Sequence, residues 1–117
     1  MTPRLPIKVR SRTRTVHLEA IVDSGFSGDL CLPVDVAVHM GLELVGRMLL
    51  ELADGTKKRK LVYRCEVELV DQTKLASAFL TSGEDALVGT NLMRSCRLTM
   101  DFGSDEVRHV SLKRKKS

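Results

Sequence analysis

The stretch Ala20-Ile21-Val22-Asp23-Ser24-Gly25 is the most informative part of this chain. An apolar run ends there on a carboxylate, which is followed at once by a hydroxyl residue and a glycine. A strand that ends this way brings an ionisable group towards a buried position, which is unfavourable unless the charge is used or shared. Asp-Ser/Thr-Gly occurs only once in the sequence. Asp23 is therefore the first candidate for a catalytic side chain.

The rest of the chain has mainly the period-two hydrophobic pattern of β-strands. Alternation predicts a strand over 16–23, and similar patterns predict strands over 7–10, 30–32, 43–53, 57–70, 75–81, 87–88, 97–102 and 106–112. Asp54-Gly55 predicts a hairpin turn. Pro33 and Gly41 predict the start and the end of a short helix over 34–40. Thr90 or Asn91 would cap a second short helix that ends near 96.

Length and composition limit the class of protein. The 117 residues predict a single domain over 1–117, with a flexible basic tail at 113–117. Hydrophobic residues make up 43% of the chain, which excludes disorder by composition, and aromatics only 3%, which argues against base-stacking nucleic-acid platforms. The net charge of +4 is concentrated in the runs 57–60 and 113–116. Such runs are more often solvated than nucleic-acid sites, so a nucleic-acid partner is unlikely to be recognised here.

Cysteines and histidines lack the spacing of a disulfide framework or a metal site. The cysteines are Cys31, Cys65 and Cys96, and the histidines are equally scattered. We therefore expect no metal and no cofactor. The absence of a signal-like or membrane-spanning apolar segment leads us to expect a soluble, cytoplasmic protein without a membrane partner.

The chemistry open to Asp23 depends on a second carboxylate. Two carboxylates held together share one proton, so that the ionised one activates a water and the protonated one polarises a scissile carbonyl. Taken alone, Asp23-Ser24-Gly25 is more typical of an ordinary turn, since all three are common turn residues. A phosphate loop is disfavoured because the lysine and Ser/Thr of a P-loop are missing.

A second motif, Leu87-Val88-Gly89-Thr90-Asn91-Leu92, changes this balance. Together with Ile21-Val22-Asp23-Ser24-Gly25, it resembles the retropepsin-like aspartic proteases, in which a later apolar-apolar-glycine packs behind an Asp-Thr/Ser-Gly loop. The segment Phe26-Ser27-Gly28, with the apolar residues up to Pro33, resembles the small prokaryotic branch of that group. The resemblance extends from about 16 to 102.

The resemblance implies an all-β fold, a closed acid-protease barrel lobe with one or two short helices. It implies a catalytic Asp23, an active-site loop and a supporting segment behind it. It also implies a flap that closes over a polypeptide substrate. The loop residues are Ser24, Gly25 and Phe26, the supporting residues are Leu87, Val88 and Gly89, and the flap residues are Ala53, Asp54, Gly55 and Thr56.

No other aspartate stands in an equivalent setting, so a catalytic pair requires a second chain. The expected function is that of an aspartic endopeptidase, active as a homodimer in which two Asp23 side chains meet. The alternative is a non-catalytic dimeric peptide-binding module with the same fold.

Four features depart from the viral pattern. Phe26 replaces an alanine beside the catalytic pair, and Thr90 replaces an arginine. The flap arm 57–60 is basic rather than glycine-rich, which indicates either a solvated arm or a preference for acidic substrates. Pro3 and Pro6 predict a poor N-terminal ladder strand, which leaves the C-terminal hairpin to form the dimer interface.

Overall fold

The computed structural model describes residues 3–51, 54–102 and 107–114. In chain order the elements are β1 (Arg4–Arg10), β2 (Thr15–Val22), β3 (Leu30–Pro33), α1 (Val34–Met40), β4 (Glu43–Glu51), β5 (Lys57–Leu69), β6 (Gln72–Thr81), β7 (Leu87–Val88), β8 (Cys96–Phe102) and β9 (Val107–Arg114). Within these described ranges the chain is mostly strand with one short helix, which confirms the predicted all-β class.

Six strands close into a barrel. The sheet order is β1-β2-β7-β3-β6-β5-β4, and β1 also pairs with β5, which joins the two ends of the six-stranded part. β4 lies outside this closed part of the sheet. It pairs with β5, and the two strands form a hairpin arm. The interior holds aliphatic side chains, and the most completely buried include Val9, Leu30, Leu32, Met40, Val67 and Val88. The predicted closed barrel is thus confirmed.

The helix forms where the sequence places it. α1 begins directly after Pro33, which is the N-cap residue and has an extended backbone with φ −56° and ψ 144°. It ends at Gly41, which adopts the left-handed conformation at φ 63° and donates its N–H to the carbonyl of Val38. Ala37 and Met40 face inward and are buried, so the helix closes one side of the barrel core.

The second predicted helix is wrong. Residues 90–95 form consecutive turns, and Ser95 lies at a left-handed φ of 68° immediately before β8. The N–H groups of Thr90 and Asn91 donate to carbonyls of the loop after β2. Contacts with a distant segment thus fix this stretch, and no helix cap in the local sequence can compete with them.

The strands β1 and β9 extend further towards the ends of the chain than predicted. β1 starts at Arg4 and includes Pro6, which lies opposite Glu19 of β2. β5 pairs with β1 only from Lys8 onward. Pro6 therefore has no partner on β5, and its missing N–H removes no hydrogen bond between these two strands. At the other end, β9 continues through Lys113 and Arg114, so the predicted tail cannot begin at 113. Residues 115–117 lie outside the described residues.

The hairpin between β5 and β6 is tighter than the predicted turn over 71–73. Leu69 pairs with Gln72, which leaves Val70 and Asp71 as a two-residue loop with φ of 52° and 60°. Positive φ at both positions is the geometry of a type I′ turn, which matches the right-handed twist of the strands. A β-branched residue disfavours that conformation, so Val70 is a strained position.

Candidate functional site

Asp23 stands at the point where β2 leaves the barrel. Its backbone N–H donates to the carbonyl of Val88 over 3.0 Å, which fixes the end of the strand. The carboxylate is partly buried, and its Oδ1 accepts the N–H of Gly25 over 3.0 Å. The N–H of Phe26 donates to the carbonyl of Asp23. Ser24 and Gly25 are exposed, so the loop presents its hydroxyl and its glycine to the outside of this chain.

The apolar segment 87–89 lies directly beside this loop. Leu87 pairs with Ile21 and Val88 with Val22 in parallel register, and Val88 is fully buried. Gly89 packs closer still. A Cβ there would overlap the carbonyl oxygen of Gly28 and would lie 2.6 Å from Cδ2 of Phe26. Only glycine allows the two segments to approach this closely.

The two segments are also tied by backbone hydrogen bonds. Thr90 donates its N–H to the carbonyl of Phe26 over 2.8 Å, and its hydroxyl donates to the same oxygen over 3.3 Å. The N–H of Asn91 reaches the carbonyl of Gly28, and that of Gly89 reaches the carbonyl of Asp29. The loop after Asp23 is therefore held by a distant segment and not by its own turns alone.

Asp29 and Asn91 are two residues of this site that the sequence interpretation missed. Asp29 Oδ1 accepts the side-chain N–H of Asn91 over 2.6 Å, and Oδ2 accepts the backbone N–H of Ser77 over 3.0 Å. One carboxylate thus joins the loop, β6 and the segment after β7. The available signal was a charged residue directly before the buried Leu30, a position that requires a hydrogen-bond partner.

Phe26 anchors the other side of the loop. Its ring packs edge-on against Phe79 of β6, with centroids 6.2 Å apart and planes at 74°. Gly28 leaves room for this ring, because a Cβ at that position would lie 2.7 Å from Cζ of Phe26. Aromatic pairs of this geometry stabilise beyond the area that they bury.

The barrel face that bears Asp23 carries a row of apolar side chains. The register pairs Ile21 with Leu87, Leu87 with Cys31, and Cys31 with Phe79, so these four side chains lie on one face across four strands. They alternate with the residues that fill the interior. Phe79 is buried, whereas the other three are partly exposed. Asp23 follows Ile21 by two residues, which extends the same face into the loop.

Cys31 lies in the middle of this row and is influenced by charges on both sides. Burial raises the pKa of its thiol, the ammonium of Lys60 lowers it, and the carboxylate of Asp23 raises it again. Both charges therefore lie near the thiol. Lys60 belongs to β5, which neighbours β6 at the Phe79 end of the row.

β4 and β5 pair as the antiparallel hairpin for which a flap is predicted. At its tip, Oδ1 of Asp54 accepts the hydroxyl and the N–H of Thr56 over 2.6 and 3.0 Å, and these bonds hold the pKa of the Asp54 carboxyl below its usual value. Gly55 lies at a φ of 87°, a conformation that favours glycine. Ala53, the fourth predicted flap residue, lies outside the described residues.

Other kinds of site find no support within the described ranges. Among these residues, no group of three or more His, Cys, Asp or Glu side chains could hold a metal ion. No helix in this part of the chain is long and apolar enough to cross a membrane.

Neither the models of protein families nor the curated proteins contain a match to this chain. Solved structures do. The chain is similar to the solution structure of the simian foamy virus (mac) protease, with a TM-score of 0.51, 18% identity, and coverage of 74% of this chain and 89% of that one. It is also similar to the foamy viral protease-reverse transcriptase in complex with an RNA/DNA hybrid, with a TM-score of 0.55 and 14% identity. That match covers 79% of this chain but only 11% of the longer protein.

At this level of identity the comparisons establish the fold. The chain has the closed barrel of a retroviral, retropepsin-like protease lobe, with Asp23 in the loop that follows β2.

Proposed function

We propose that this chain is an aspartic endopeptidase that acts as a homodimer, with Asp23 of each subunit forming the catalytic pair. The observation that carries the proposal is the position of Asp23, since its carboxylate is held by the Gly25 N–H at the exposed end of a strand in a retropepsin-like barrel. One subunit supplies one such carboxylate, and the chemistry requires two.

The mechanism follows from sharing one proton between two carboxylates. The ionised Asp23 takes a proton from a water, which adds to the peptide carbonyl, while the protonated Asp23 of the partner polarises that carbonyl. The C–N bond of the tetrahedral intermediate then breaks as the Asp23 carboxyl that received the proton of the water donates it to the leaving amine. Ser24 would bond across to the partner loop, Gly25 would line the cleft, and the flap around 53–56 would exclude water.

The C-terminal hairpin is the proposed dimer interface. β8 and β9 form a two-stranded sheet separate from the barrel sheet. A two-stranded ribbon is marginally stable alone. Leu112 is buried, and Leu98 and Met100 pack against the core, so one face of the ribbon is already used. Pairing of ribbon edges from two subunits would complete the sheet.

Other parts of the interpretation stay predictions. These are a single domain over 1–117, membership of the small prokaryotic branch, a cytoplasmic location and a polypeptide as the only macromolecular ligand. The alternative of a dimeric peptide-binding module with the same fold differs from the proposal in one respect, namely whether bound peptides are cut.

The test is the Asp23→Asn substitution, with Asp35→Asn as a matched control. Asp35 is an exposed carboxylate in the first turn of α1, outside the loop after Asp23, and accepts the N–H of Val36. Cleavage of a proteome-derived peptide library is read by mass spectrometry, and the dimer by analytical ultracentrifugation. We expect Asp23→Asn to remain folded and dimeric without activity, and Asp35→Asn to cleave normally. Full turnover by Asp23→Asn, or a strict monomer at the assay concentration, would refute the proposal.

A further inference from the structure

The side chains of the basic run 57–60 alternate between the two faces of β5. Tyr63 pairs with Ala78, which is fully buried in the barrel core, so Tyr63 faces inward. The register irregularity between Leu44 and Gly46 places the extra residue on β4, so β5 keeps its alternation. Side chains at even positions of β5 from 58 to 62 therefore lie on the opposite face from Tyr63.

That opposite face is the one that carries the apolar row and Asp23. Phe79 is the neighbour of Ala78 on β6 and faces away from the interior, where Cys31 pairs with it. Lys60 and Lys58 thus line the same side as the row, opposite Met48 and Leu50 in the register of the hairpin. The arm residues Lys57 and Arg59 face the other way.

Burial distinguishes Lys60 from the rest of the run. Lys60 is partly buried, whereas residues 57–59 are exposed. Its ammonium influences the thiol of Cys31 in the apolar row, as the Asp23 carboxylate also does. None of the ion pairs found among the described residues includes Lys60. A cation that is partly removed from water without a carboxylate partner favours an anionic ligand.

We propose that Lys60 is a specificity-determining residue, which binds a glutamate or aspartate side chain of the substrate while a neighbouring apolar side chain packs on the row of Ile21, Leu87, Cys31 and Phe79. The inference rests on the proposed peptidase function and names its substrate class: extended peptides with an acidic residue close to an apolar one at the cleavage site. Side chains two residues apart in an extended peptide lie on the same side, so one peptide can make both contacts with this face.

The experiment compares Lys60→Gln and Lys60→Glu with Arg59→Gln. Arg59 is the neighbouring cation of the same strand, and its loss removes the same charge from the opposite face. A proteome-derived peptide library identifies cleaved sequences, and pairs of peptides that differ only by Glu or Gln at the acidic position then give kcat/KM ratios. The same library is bound to the Asp23→Asn protein, with and without the second substitution, so that recognition is read without cleavage.

We expect the wild type to prefer the Glu peptide by about tenfold or more, as is typical of a charge-assisted hydrogen bond. Lys60→Gln should bring that ratio close to one, Lys60→Glu should reverse it towards basic peptides, and Arg59→Gln should retain it. Absence of an acidic preference in the wild type, or a preference that survives Lys60→Gln, would overturn the inference while leaving the peptidase intact.

The binding measurement separates the two proposals. Acidic peptides retained by the Asp23→Asn protein and lost on Lys60→Gln would support the role of Lys60 even if the wild type cuts nothing, in which case only the peptidase proposal fails. If the protein neither cuts nor retains any peptide of the library, both proposals fail.

Discussion

Substitution of Gly89 by alanine should detach the catalytic loop from its support. The added Cβ would overlap the carbonyl oxygen of Gly28 and would lie 2.7 Å from that of Phe26. Both contacts are backbone atoms, which cannot rotate away as a flexible side chain can. The loop must therefore move, and the movement strains the hydrogen bonds from Thr90 and Asn91 that use the same two carbonyls.

The magnitude follows from these contacts. Overpacking a tight site by one methyl group destabilises by about 1–3 kcal/mol. Weakening two backbone hydrogen bonds adds up to about 1 kcal/mol each. Alanine also lowers the entropy of the unfolded chain, which stabilises the folded protein by less than about 1 kcal/mol. We expect a net loss of about 2–4 kcal/mol, which leaves most small domains folded.

Urea unfolding gives the stability, and cleavage of a library-derived peptide gives the activity. Gly83→Ala is the matched control, because its Cβ would meet only Thr81 Oγ1 at 3.4 Å, an ordinary contact. Gly89→Ala should be destabilised by about 2–4 kcal/mol. In buffer without urea, at a temperature where it remains folded, it should lose nearly all activity. Gly83→Ala should stay within about 0.5 kcal/mol of the stability of the wild type. A Gly89→Ala protein as stable and active as the control would show that the loop is not held by this close packing.

Three further substitutions test other parts of the structure. At Gly25 an added Cβ meets only Asp23 Oδ1 at 3.4 Å, so Gly25→Ala should unfold in urea like the wild type but lose activity on the order of a hundredfold, because the proposed substrate backbone passes there; unchanged kcat/KM would contradict that role. Replacing Val70-Asp71 by Asn-Gly suits their positive φ values and should stabilise the protein by about 1–2 kcal/mol in urea unfolding, and no gain would contradict the assigned turn strain. Burial, with a smaller effect of the Asp29 charge, raises the pKa of the Cys65 thiol from 9.0 to about 12. Between these pH values the unfolded chain loses a proton that the folded chain keeps, so the free energy of unfolding falls as pH rises. Between about pH 8 and about pH 10 the wild type should therefore lose about 1.4 kcal/mol more than Cys65→Ala, and equal losses would show that the folded thiol ionises normally.

Local chemistry made several elements predictable. Pro33 and Gly41 bound α1 because each acts through its own backbone dihedrals. Asp54-Gly55 lies at the turn of its hairpin for the same reason. Alternation placed the strands that fill the barrel, including β2 up to Asp23, because one strand face is buried.

Elements fixed by distant partners could not be predicted in this way. The segment 90–95 begins with helix-capping residues, but the N–H groups of Thr90 and Asn91 bond to the loop after β2. β1 includes Pro6 because the ladder to β5 begins only at Lys8. Asp29 gains its importance from Asn91 and Ser77, which are far away in the chain.

The sequence by itself determined the barrel strands, the helix α1 and the position of Asp23 at the end of an apolar strand, because period, turn chemistry and capping act over a few residues. Only the tertiary structure decided which residues share the face of Asp23. The row that ends at Phe79 and the direction of Lys60 depend on strand register, because the bulge lies in β4 and leaves the alternation of β5 unbroken. Register arises from pairing between distant segments, and a shift of one residue would turn Lys60 to the opposite face.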